Sequence, residues 1–353
     1  MSAKFSAMEI EEAQSLWEPK TVYLNTATYG LPPQPAWEAL QTALDEWHHG
    51  KTGFLGWDEY TSGSRRVFAR MVGVSEESVA IAATVSSLTG FVAEALPDGA
   101  NVLVPEVEFT SALWPWMVHA DRGVSVRTVP LGDLAEAIDG GTDLIAVSAV
   151  QSATGEVANL DEIAAAAARV GAKVFVDATQ GCGWMPIDAS RYDFVVCGAY
   201  KWLMGPRGTA FMTVAPQHIH TLRPLAANWY GGEDVHQSYY GPPLRLAEAA
   251  RRLDISPAWF CWVGTQPALE LLLSIGIEKI HRHNVALANR FLEGLGHEPG
   301  NSAIVRVPVQ GADERLRRAG VMAAVRAGNV RASFHVYNTE SDVDAALEAL
   351  GAA

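Results

Sequence analysis

The stretch "DFVVCGAYKWLMGPRGTAFM", residues 193–212, joins two apolar runs through one lysine and a short turn. Lys201 directly follows the first run, and the glycine- and proline-containing turn at 205–208 precedes the second. A lysine at a strand end is usually a solvated terminator, because an unpaired ammonium is costly to bury. The alternative is a lysine beside a cavity, where desolvation lowers its pKa and frees the amine to form a Schiff base. The rest of the chain is needed to choose between them.

Short apolar runs recur along the first two thirds of the chain, separated by helical or loop segments. They are "SVAIAAT", "NVLVPE", "VSVRTVP", "DLIAVSAV", "AKVFVDA", "DFVVCGA" and "TAFMTV". Continuous apolar runs are typical of strands buried on both faces, so the pattern predicts an α/β fold with a mostly parallel, seven-stranded sheet wrapped by helices. The last two runs are too close for a helical crossover and predict one antiparallel neighbour. The segment "NLDEIAAAAARVGA" predicts a crossover helix from about Asn159 to about Gly171.

After Val214 the pattern changes. The segment "NWYGGEDVHQSYYGPP" predicts an ordered loop, and "TQPALELLLSIGIEKIHRHNVALANRFLEGLG" predicts helix. A strand "SAIVRVPV", a helix "ADERLRRAGVMAAVRAG", a strand "VRASFHV" and a helix "TESDVDAALEALG" are expected to follow. We therefore predict an N-terminal helical segment at 1–20, a large domain at 21–250 and a smaller C-terminal α+β domain at 251–353.

Composition limits the classes of partner. Of the 353 residues, 26 are Lys or Arg and 40 are Asp or Glu, and the net charge of -14 argues against nucleic acid and anionic membranes. No apolar run reaches the roughly 18 residues of a membrane span, and the start lacks a targeting pattern, so a cytoplasmic location is expected. The three cysteines lack metal-ligand spacing, and we predict neither a disulfide framework nor a metal site.

Polar residues end several of the predicted strands. "KVFVDATQG" carries Asp177 and Gln180, "VSAVQSATG" carries Gln151 and Ser152, and "AATVSSLTG" places hydroxyl residues before a predicted helix. In open α/β sheets the ligand crevice lies at the carboxyl ends of the strands. A carboxylate, neutral hydrogen-bonding groups, a hydroxyl-bearing helix start and a lysine are what a phosphate-bearing pyridine aldehyde requires.

The stretch "FVDATQGCGWMPIDASRYDFVVCGAYKWLMGPRGTAF" resembles the core of the class V aminotransferase and cysteine desulfurase group of fold-type I enzymes that use pyridoxal 5'-phosphate (PLP). The resemblance continues in "VYLNTATYGLPP", "EFTSALWPW" and "VRASFHVYNTESDVDAAL", in family order, and is nearer to the C-S lyase and epimerase branch. It implies that PLP is the cofactor. It also implies an amino acid substrate and a homodimer.

The resemblance implies a role for each polar residue around the cofactor. Lys201 would hold PLP as an aldimine and then move the Cα proton, and Asp177 would keep the pyridine nitrogen protonated. Gln180 would donate to the phenolic oxygen, a task that Gln151 or Ser152 could share. For Asp177 the alternative is a helix N-cap after a strand.

Three further residues are implied to contact the phosphate from the start of a helix. Val85 and Ser86 occupy the family's phosphate loop, and Ser87 is adjacent to them. The alternative is a hydroxyl N-cap without a ligand. Tyr200 stands where cysteine desulfurases have a histidine, and it is implied to supply a phosphate contact.

The remaining implied contacts lie farther along the chain. Phe109 replaces the histidine that stacks on the pyridine, so it can stack but cannot exchange a proton; plain core packing is its alternative. Thr265 matches a Gly-Thr turn that reaches the partner's phosphate in a homodimer, with a helix N-cap as its alternative. Arg331 is implied to hold the substrate carboxylate in a bidentate fork, with a surface arginine as the alternative. The pocket is expected to be completed by Asn25, Thr26 and Ala27.

PLP permits several reactions at Cα and Cβ. Desulfuration by persulfide transfer needs a thiol shortly before the carboxylate arginine, and residues 300–331 contain no cysteine. We favour β-elimination of the C-S lyase type, ahead of a class V aminotransferase or an epimerase. A catalytically silent PLP-fold protein used for binding or regulation is an alternative of another class, against which the retained Asp177 and Lys201 argue.

Overall fold

A computed structural model describes residues 7–326 and 329–352. Its strands are β1 (Val22–Tyr23), β2 (Val79–Ala82), β3 (Asn101–Pro105), β4 (Ser125–Val129), β5 (Leu144–Ser148), β6 (Lys173–Asp177), β7 (Phe194–Gly198), β8 (Ala210–Val214), β9 (Ile304–Pro308), β10 (Val321–Met322), β11 (Ala324–Arg326) and β12 (Asn329–Ser333). Its helices are α1 (Ile10–Gln14), α2 (Gln34–His48), α3 (Phe54–Met71), α4 (Val85–Glu94), α5 (Thr110–Met117), α6 (Leu160–Val170), α7 (Trp259–Ile275), α8 (Ile277–Gly294), α9 (Ala312–Arg318) and α10 (Glu340–Leu350).

The central sheet contains the seven predicted strands in the order β2-β8-β7-β6-β5-β3-β4. Strand β8 runs antiparallel to both of its neighbours, and all other pairs in the sheet are parallel. The predicted mostly parallel sheet and its antiparallel member are therefore confirmed. The tight connection from β7 to β8 explains the antiparallel pair, because a parallel return would need a long crossover.

Local sequence signals fix the crossover helix α6. The side chain of Asn159 accepts a hydrogen bond from the backbone N–H of Glu162, and Gly171 ends the helix in the left-handed conformation with φ 76°. An asparagine cap and a terminal glycine satisfy backbone groups that a helix end leaves open. The predicted bounds of this helix are confirmed.

Both faces of the sheet are covered by helices. Alternate strand residues point to opposite sides, so that Val176 belongs to the core shared with α3, α6 and α7, while Phe175 belongs to the core shared with α4 and α5. This two-sided burial accounts for the continuous apolar runs. Since β3, β5, β6 and β7 are parallel, the residues that follow them meet at one edge.

A smaller unit forms around the antiparallel sheet β11-β12-β9, with α8, α9 and α10 packed on it. The N-terminal part of the chain joins this unit, because Val22 pairs with Val321 in the parallel pair β1-β10. Helix α1 lies within the predicted segment 1–20, of which residues 1–6 are outside the described part. The domain boundaries near residues 20 and 250 stay predictions.

The predicted helix over 312–328 is wrong in its second half. Helix α9 ends at Arg318, and β10 and β11 follow, while residues 327 and 328 lie outside the described part of the chain. Gly320 adopts φ 71°, which stops the helix, and Val321 then pairs with a strand from the other end of the sequence. Pairing with a distant strand overrides local helix preference.

Helices α7 and α8 bend by 84° at the break between them. Within residues 7–326 and 329–352, no single helix is long and apolar enough to span a membrane, although this bent pair meets that criterion by length and composition.

A buried ion pair anchors α3 to the segment that precedes α7. The carboxylate of Asp254 accepts hydrogen bonds from the guanidinium of Arg65 and from the backbone N–H of Ile81 in β2. Burial raises the pKa of Asp254 to about 6, against the lowering effect of Arg65. The Asp254 carboxylate thus joins α3, β2 and the segment before α7.

We predict that Asp254→Ala lowers the free energy of unfolding by about 3–5 kcal/mol, because it leaves the buried Arg65 guanidinium uncompensated. Chemical denaturation followed by circular dichroism measures this. Asp98→Ala, which removes the exposed partner of Arg122, serves as the control and should change stability little. Equal effects of the two substitutions would contradict the assigned role of the buried pair.

Candidate active site

A cavity of about 210 Å³ opens at the carboxyl edge of the central sheet. Among its lining residues are eight that were predicted from the sequence: Val85, Ser86, Phe109, Ser152, Asp177, Gln180, Tyr200 and Lys201. The lining also includes residues that the sequence interpretation missed: Ala83, Thr84, Thr110, Ser111, Ser148, Thr179, Gly198, Arg207 and Thr209. The remaining predicted residues lie around this cavity or behind it.

Lys201 follows β7 and is 6% exposed. The turn that carries it is packed against the N-terminal segment, where Gly30 donates its backbone N–H to the carbonyl of Tyr200 at 2.9 Å. A Cβ on Gly30 would lie 2.0 Å from the carbonyl oxygen of Lys201, so only glycine fits there. Met204, in the same turn, adopts φ 56°, which is uncommon for a residue with a side chain.

The environment of Lys201 lowers the pKa of its amine, so that the neutral form becomes available near pH 8. Burial lowers its pKa to about 8; the negative charge of Asp177 opposes this shift, and the positive charge of Arg331 adds to it. A neutral amine is the form that attacks an aldehyde. Lys201 is therefore a buried side chain that lines the cavity, as the Schiff-base interpretation requires, and is not a solvated strand terminator.

Asp177 is the last residue of β6, 5% exposed, and its Oδ1 accepts a hydrogen bond from the backbone N–H of Thr179 at 2.9 Å. Burial raises the pKa of its carboxyl group, and the hydrogen bonds from Thr179 lower it. A buried carboxylate that lines the cavity is suited to a cationic ring nitrogen. The N-cap alternative does not describe it, since no helix begins there.

The start of α4 forms another wall. Thr84 is the N-cap, and its hydroxyl accepts a hydrogen bond from the backbone N–H of Ser87. Val85 and Ser86 line the cavity as the first two helical residues, where backbone N–H groups favour an anion. Ser87 does not line it, and its hydroxyl lies 2.7 Å from the Thr84 hydroxyl. The hydroxyl cap is thus Thr84, which the sequence interpretation did not single out.

Aromatic rings border the lysine. The Nζ of Lys201 lies over the ring of Phe109, 5.5 Å from its centroid, and 5.7 Å from the centroid of Tyr200. Phe109 is 48% exposed, which excludes the core-packing alternative. The guanidinium of Arg207 lies over the other ring, 5.0 Å from the Tyr200 centroid.

Both polar atoms of the Gln180 side chain form hydrogen bonds to other groups of the protein. Its Nε2 donates to the carbonyl of Ala27 and to Ser152 Oγ, each at 2.9 Å, and its Oε1 accepts from Trp202 Nε1 at 2.8 Å. Gln151 does not line the cavity; its Nε2 donates to Glu108 at 3.1 Å. The prediction that Gln151 contacts a cofactor is therefore wrong, because its side chain lies beneath the wall. The Ser152 hydroxyl remains in the cavity.

Arg331 is on β12, buried at the border of the site. Its guanidinium donates to the carbonyl of Ser152 at 2.7 Å and to the hydroxyl of Thr28 at 2.6 Å. Burial on this strand excludes the surface-arginine alternative. Thr28 was missed by the sequence interpretation, although it stands in the same "LNTATYG" motif.

The predicted N-terminal pocket residues lie behind the cavity wall. Ala27 is held by Gln180 and by Ser333, Thr26 bonds its hydroxyl to Tyr337, and Asn25 forms a bridge with Ser333. They support the wall and do not line the cavity.

Thr265 does not fit its predicted role. It lies within α7, fully buried, and its hydroxyl donates to the carbonyl of Cys261 at 2.8 Å and lies 3.3 Å from Thr209 Oγ1. A side chain enclosed by its own chain cannot reach the phosphate of a partner subunit. The N-cap alternative is also wrong, because Thr265 is in the helix interior.

Within the described ranges, no group of three or more His, Cys, Asp or Glu side chains is arranged to hold a metal ion.

A family model described as aminotransferase class V matches residues 59–322, which is more than half of the chain. The chain belongs to the class V aminotransferase family. Enzymes of this family use PLP, so the predictions of a fold-type I enzyme and of its cofactor are confirmed at the level of the family.

Individual relatives carry several different names. The uncharacterized aminotransferase YcbU of Bacillus subtilis is 28% identical over 341 residues, covering 90% of each chain. Isopenicillin N epimerase of Streptomyces clavuligerus is 26% identical over 397 residues, covering 97% of this chain and 98% of that protein. The solved complex of the cystine C-S lyase C-DES with cysteine persulfide has a TM-score of 0.85 at 20% identity, covering 94% and 97% of the two chains.

We predict that Lys201 in the cofactor-free protein is reductively methylated by formaldehyde and cyanoborohydride with a midpoint near pH 8, because its amine is neutral above that pH. Arg331→Leu removes a positive charge and should move the midpoint to higher pH, whereas Asp177→Asn removes a negative charge and should move it lower. Peptide mass spectrometry gives the pH profile of Lys201 alone. A midpoint near the ordinary value of 10.5 would contradict the assigned burial.

Proposed function

We propose that this protein is a PLP-dependent lyase that removes a β-substituent from an amino acid, with Lys201 anchoring the cofactor and moving the Cα proton. The observation that carries the proposal is that Lys201, whose pKa is lowered to about 8, shares the cavity with Phe109 and has its Nζ 5.5 Å from the centroid of that ring. One side of the site can exchange protons through the lysine. The facing ring can only stack.

The cavity fits the cofactor by the chemistry of its lining. The backbone N–H groups of Val85 and Ser86 would hold the phosphate at the start of α4. Asp177 would pair with the ring nitrogen, and the exposed face of Phe109 would stack on the ring. Ser152, whose hydroxyl already accepts from Gln180, is placed to donate to the phenolic oxygen. Each of these groups lines the same cavity as Lys201.

Bound PLP would supply an electron-withdrawing ring that makes the Cα–H bond of an attached amino acid acidic. Arg331 would bind the α-carboxylate, because its guanidinium is held at the border of the cavity by Ser152 and Thr28. Binding of the carboxylate by Arg331 would restrict the orientation of the Cα–H bond relative to the Nζ of Lys201. Lys201, neutral above about pH 8, would accept that proton.

Persulfide transfer is disfavoured by the positions of the thiols. None of the three cysteines of the chain lines the cavity: Cys182 and Cys197 are buried, and Cys261 packs against the carbonyl of Arg207. A lyase needs no such thiol, because the β-substituent leaves directly. Transamination also uses a single proton-transferring face, and the name of the Bacillus subtilis relative makes it the second candidate.

Turnover stoichiometry distinguishes these reactions. The protein loaded with PLP, supplied with cysteine S-conjugates and no keto acid, should release keto acid, ammonia and the leaving group over many turnovers. Lys201→Ala should lower the rate by at least about 100-fold, through loss of proton transfer. Arrest after one equivalent of keto acid per site, relieved by an added keto acid, would identify an aminotransferase instead.

The same reaction mixtures would reveal an epimerase or a silent binding protein. Chiral analysis of the recovered substrate shows inversion at Cα if the enzyme is an epimerase. PLP bound at Lys201, verified by borohydride reduction, with no reaction of any amino acid in the panel would favour a silent binding protein.

We also propose that two copies associate through an apolar surface on α2 and α3. The exposed side chains of this surface are Trp37, Leu44, Trp47, Phe54 and Leu55. Trp37 and Leu44 are seven residues apart and therefore lie on one face of α2. Clustered exposed aromatic and aliphatic groups of this kind are typical of protein interfaces.

We predict that Trp47→Glu raises the dimer dissociation constant by about 30-fold or more, as the loss of a buried tryptophan anchor does. Sedimentation equilibrium measures the constant. Met322→Glu, at a residue of similar exposure on β10, is the control and should leave it unchanged. A monomeric wild-type protein would disprove the dimer without affecting the proposed chemistry.

A further inference from the structure

Glu108 is a buried carboxylate just beyond the end of β3, 7% exposed. Among residues 7–326 and 329–352, no lysine, arginine or histidine forms an ion pair with it. Acidic side chains are rarely buried without a cation, because desolvation of the charge is costly. Glu108 is nevertheless buried next to Ser148, which lines the cavity, and this position indicates that its charge serves the site.

Four donors surround the carboxylate. Oε1 accepts from the backbone N–H of Phe109 at 2.7 Å and from the hydroxyl of Ser148. Oε2 accepts from the backbone N–H of Ser148 at 2.7 Å and from Gln151 Nε2 at 3.1 Å. Three of these four partners can only donate, which is the arrangement that an ionised carboxylate requires.

The topology places this charge near Asp177. Ser148, the last residue of β5, is the register partner of Asp177 at the end of β6, and β3 is the neighbour of β5 on the other side. Glu108 therefore reaches Asp177 across a single residue, Ser148, which lines the cavity. The negative charge of Glu108 contributes to the raised pKa of Asp177.

We propose that Glu108 acts as a second anion of the cofactor site, which helps Asp177 to retain the proton shared with the ring nitrogen of PLP. This inference depends on the proposed function. Glu108 does not line the cavity, so it acts through Asp177 and is a positioning and electrostatic residue. A second buried negative charge raises the proton affinity of the whole pair, because the low-polarity surroundings transmit its field.

The other groups that face Asp177 do not replace this effect. Lys201 lowers the pKa of Asp177 when its amine is protonated. Cys197, in the neighbouring strand β7, is a buried thiol whose pKa is raised, so it remains uncharged. Thr179 donates hydrogen bonds and carries no charge. Glu108 is thus the anion whose charge reaches Asp177.

The test separates the effect of the negative charge of Glu108 from its structural support of Phe109 and Ser148. Glu108→Gln removes the charge and keeps the size of the side chain. The matched control is Gln151→Met, which removes one hydrogen bond to Glu108 and no charge. Both variants and the wild-type protein are loaded with PLP labelled with ¹⁵N in the ring. The ¹⁵N chemical shift, followed from pH 6 to pH 10, reports whether the ring nitrogen is protonated.

We expect the wild-type protein and Gln151→Met to keep the ring proton up to pH 10, whereas Glu108→Gln loses it with a midpoint at or below about pH 9, at least about one pKa unit and tenfold in proton affinity below the wild-type protein. An unchanged shift in Glu108→Gln would overturn the inference. So would an equal change in Gln151→Met, since that is the result expected of a residue that only supports Phe109 and Ser148.

If Glu108→Gln does not fold, Glu108→Asp decides the question, because it disturbs the hydrogen bonds and keeps the charge. It should retain the ring proton, and a deprotonated ring in this variant would overturn the inference. A wild-type protein that binds no PLP at Lys201 would instead contradict the proposed function. The two failures are therefore distinguishable.

Discussion

The backbone of Gly30 packs against the carbonyl oxygen of Lys201 so closely that no side chain could stand between them. This contact holds the lysine turn from one side, while the carbonyl of Trp202 accepts a hydrogen bond from the buried His335 at 2.9 Å on the other. Burial lowers the pKa of His335 to about 3, so it stays a neutral donor. The lysine turn is thus held between Gly30, near the start of the sequence, and His335 of the C-terminal unit.

The same segment supports the wall of the site behind Lys201. Residues 25–30 bridge the central sheet and the C-terminal unit, through Ala27 to Gln180 and to Ser333. Through Gly30 they pack against the lysine turn, and the burial of Lys201 in this turn lowers the pKa of its amine.

Much of this arrangement could be predicted from the sequence because its signals are local. Continuous apolar runs indicate six strands of the central sheet, the mixed run "VSVRTVP" indicates the edge strand β4, and Asn159 and Gly171 indicate the two ends of α6. Polar residues after adjacent parallel strands must meet at one edge, which brought Asp177 and Lys201 to a single cavity.

The features that could not be predicted depend on distant partners. Strand β10 forms only because it pairs with β1, almost three hundred positions earlier, so a helix was the natural local interpretation of residues 319–326. The role of Thr265 was predicted from a short motif, and only the tertiary packing shows that its side chain is enclosed within α7. Gln151 differs from Ser152 by a single step along the chain, yet that step turns its side chain from the cavity to Glu108.

The parallel pair β1-β10 and the bridge between Asn25 and Ser333 also constrain the order of events during folding. Strand β1 and Asn25 have no strand partner until residues 321–333 have been synthesised, although Ala27 and Gly30 bond to Gln180 and Tyr200 of the large domain. Contacts of such long sequence separation are expected to form late, after the central sheet has assembled from more local crossovers. The sheet edge with Asp177 would therefore exist before residues 25–30 are fixed between the lysine turn and the C-terminal unit. A nascent chain truncated before β12 should be able to build the scaffold and still lack a finished pocket.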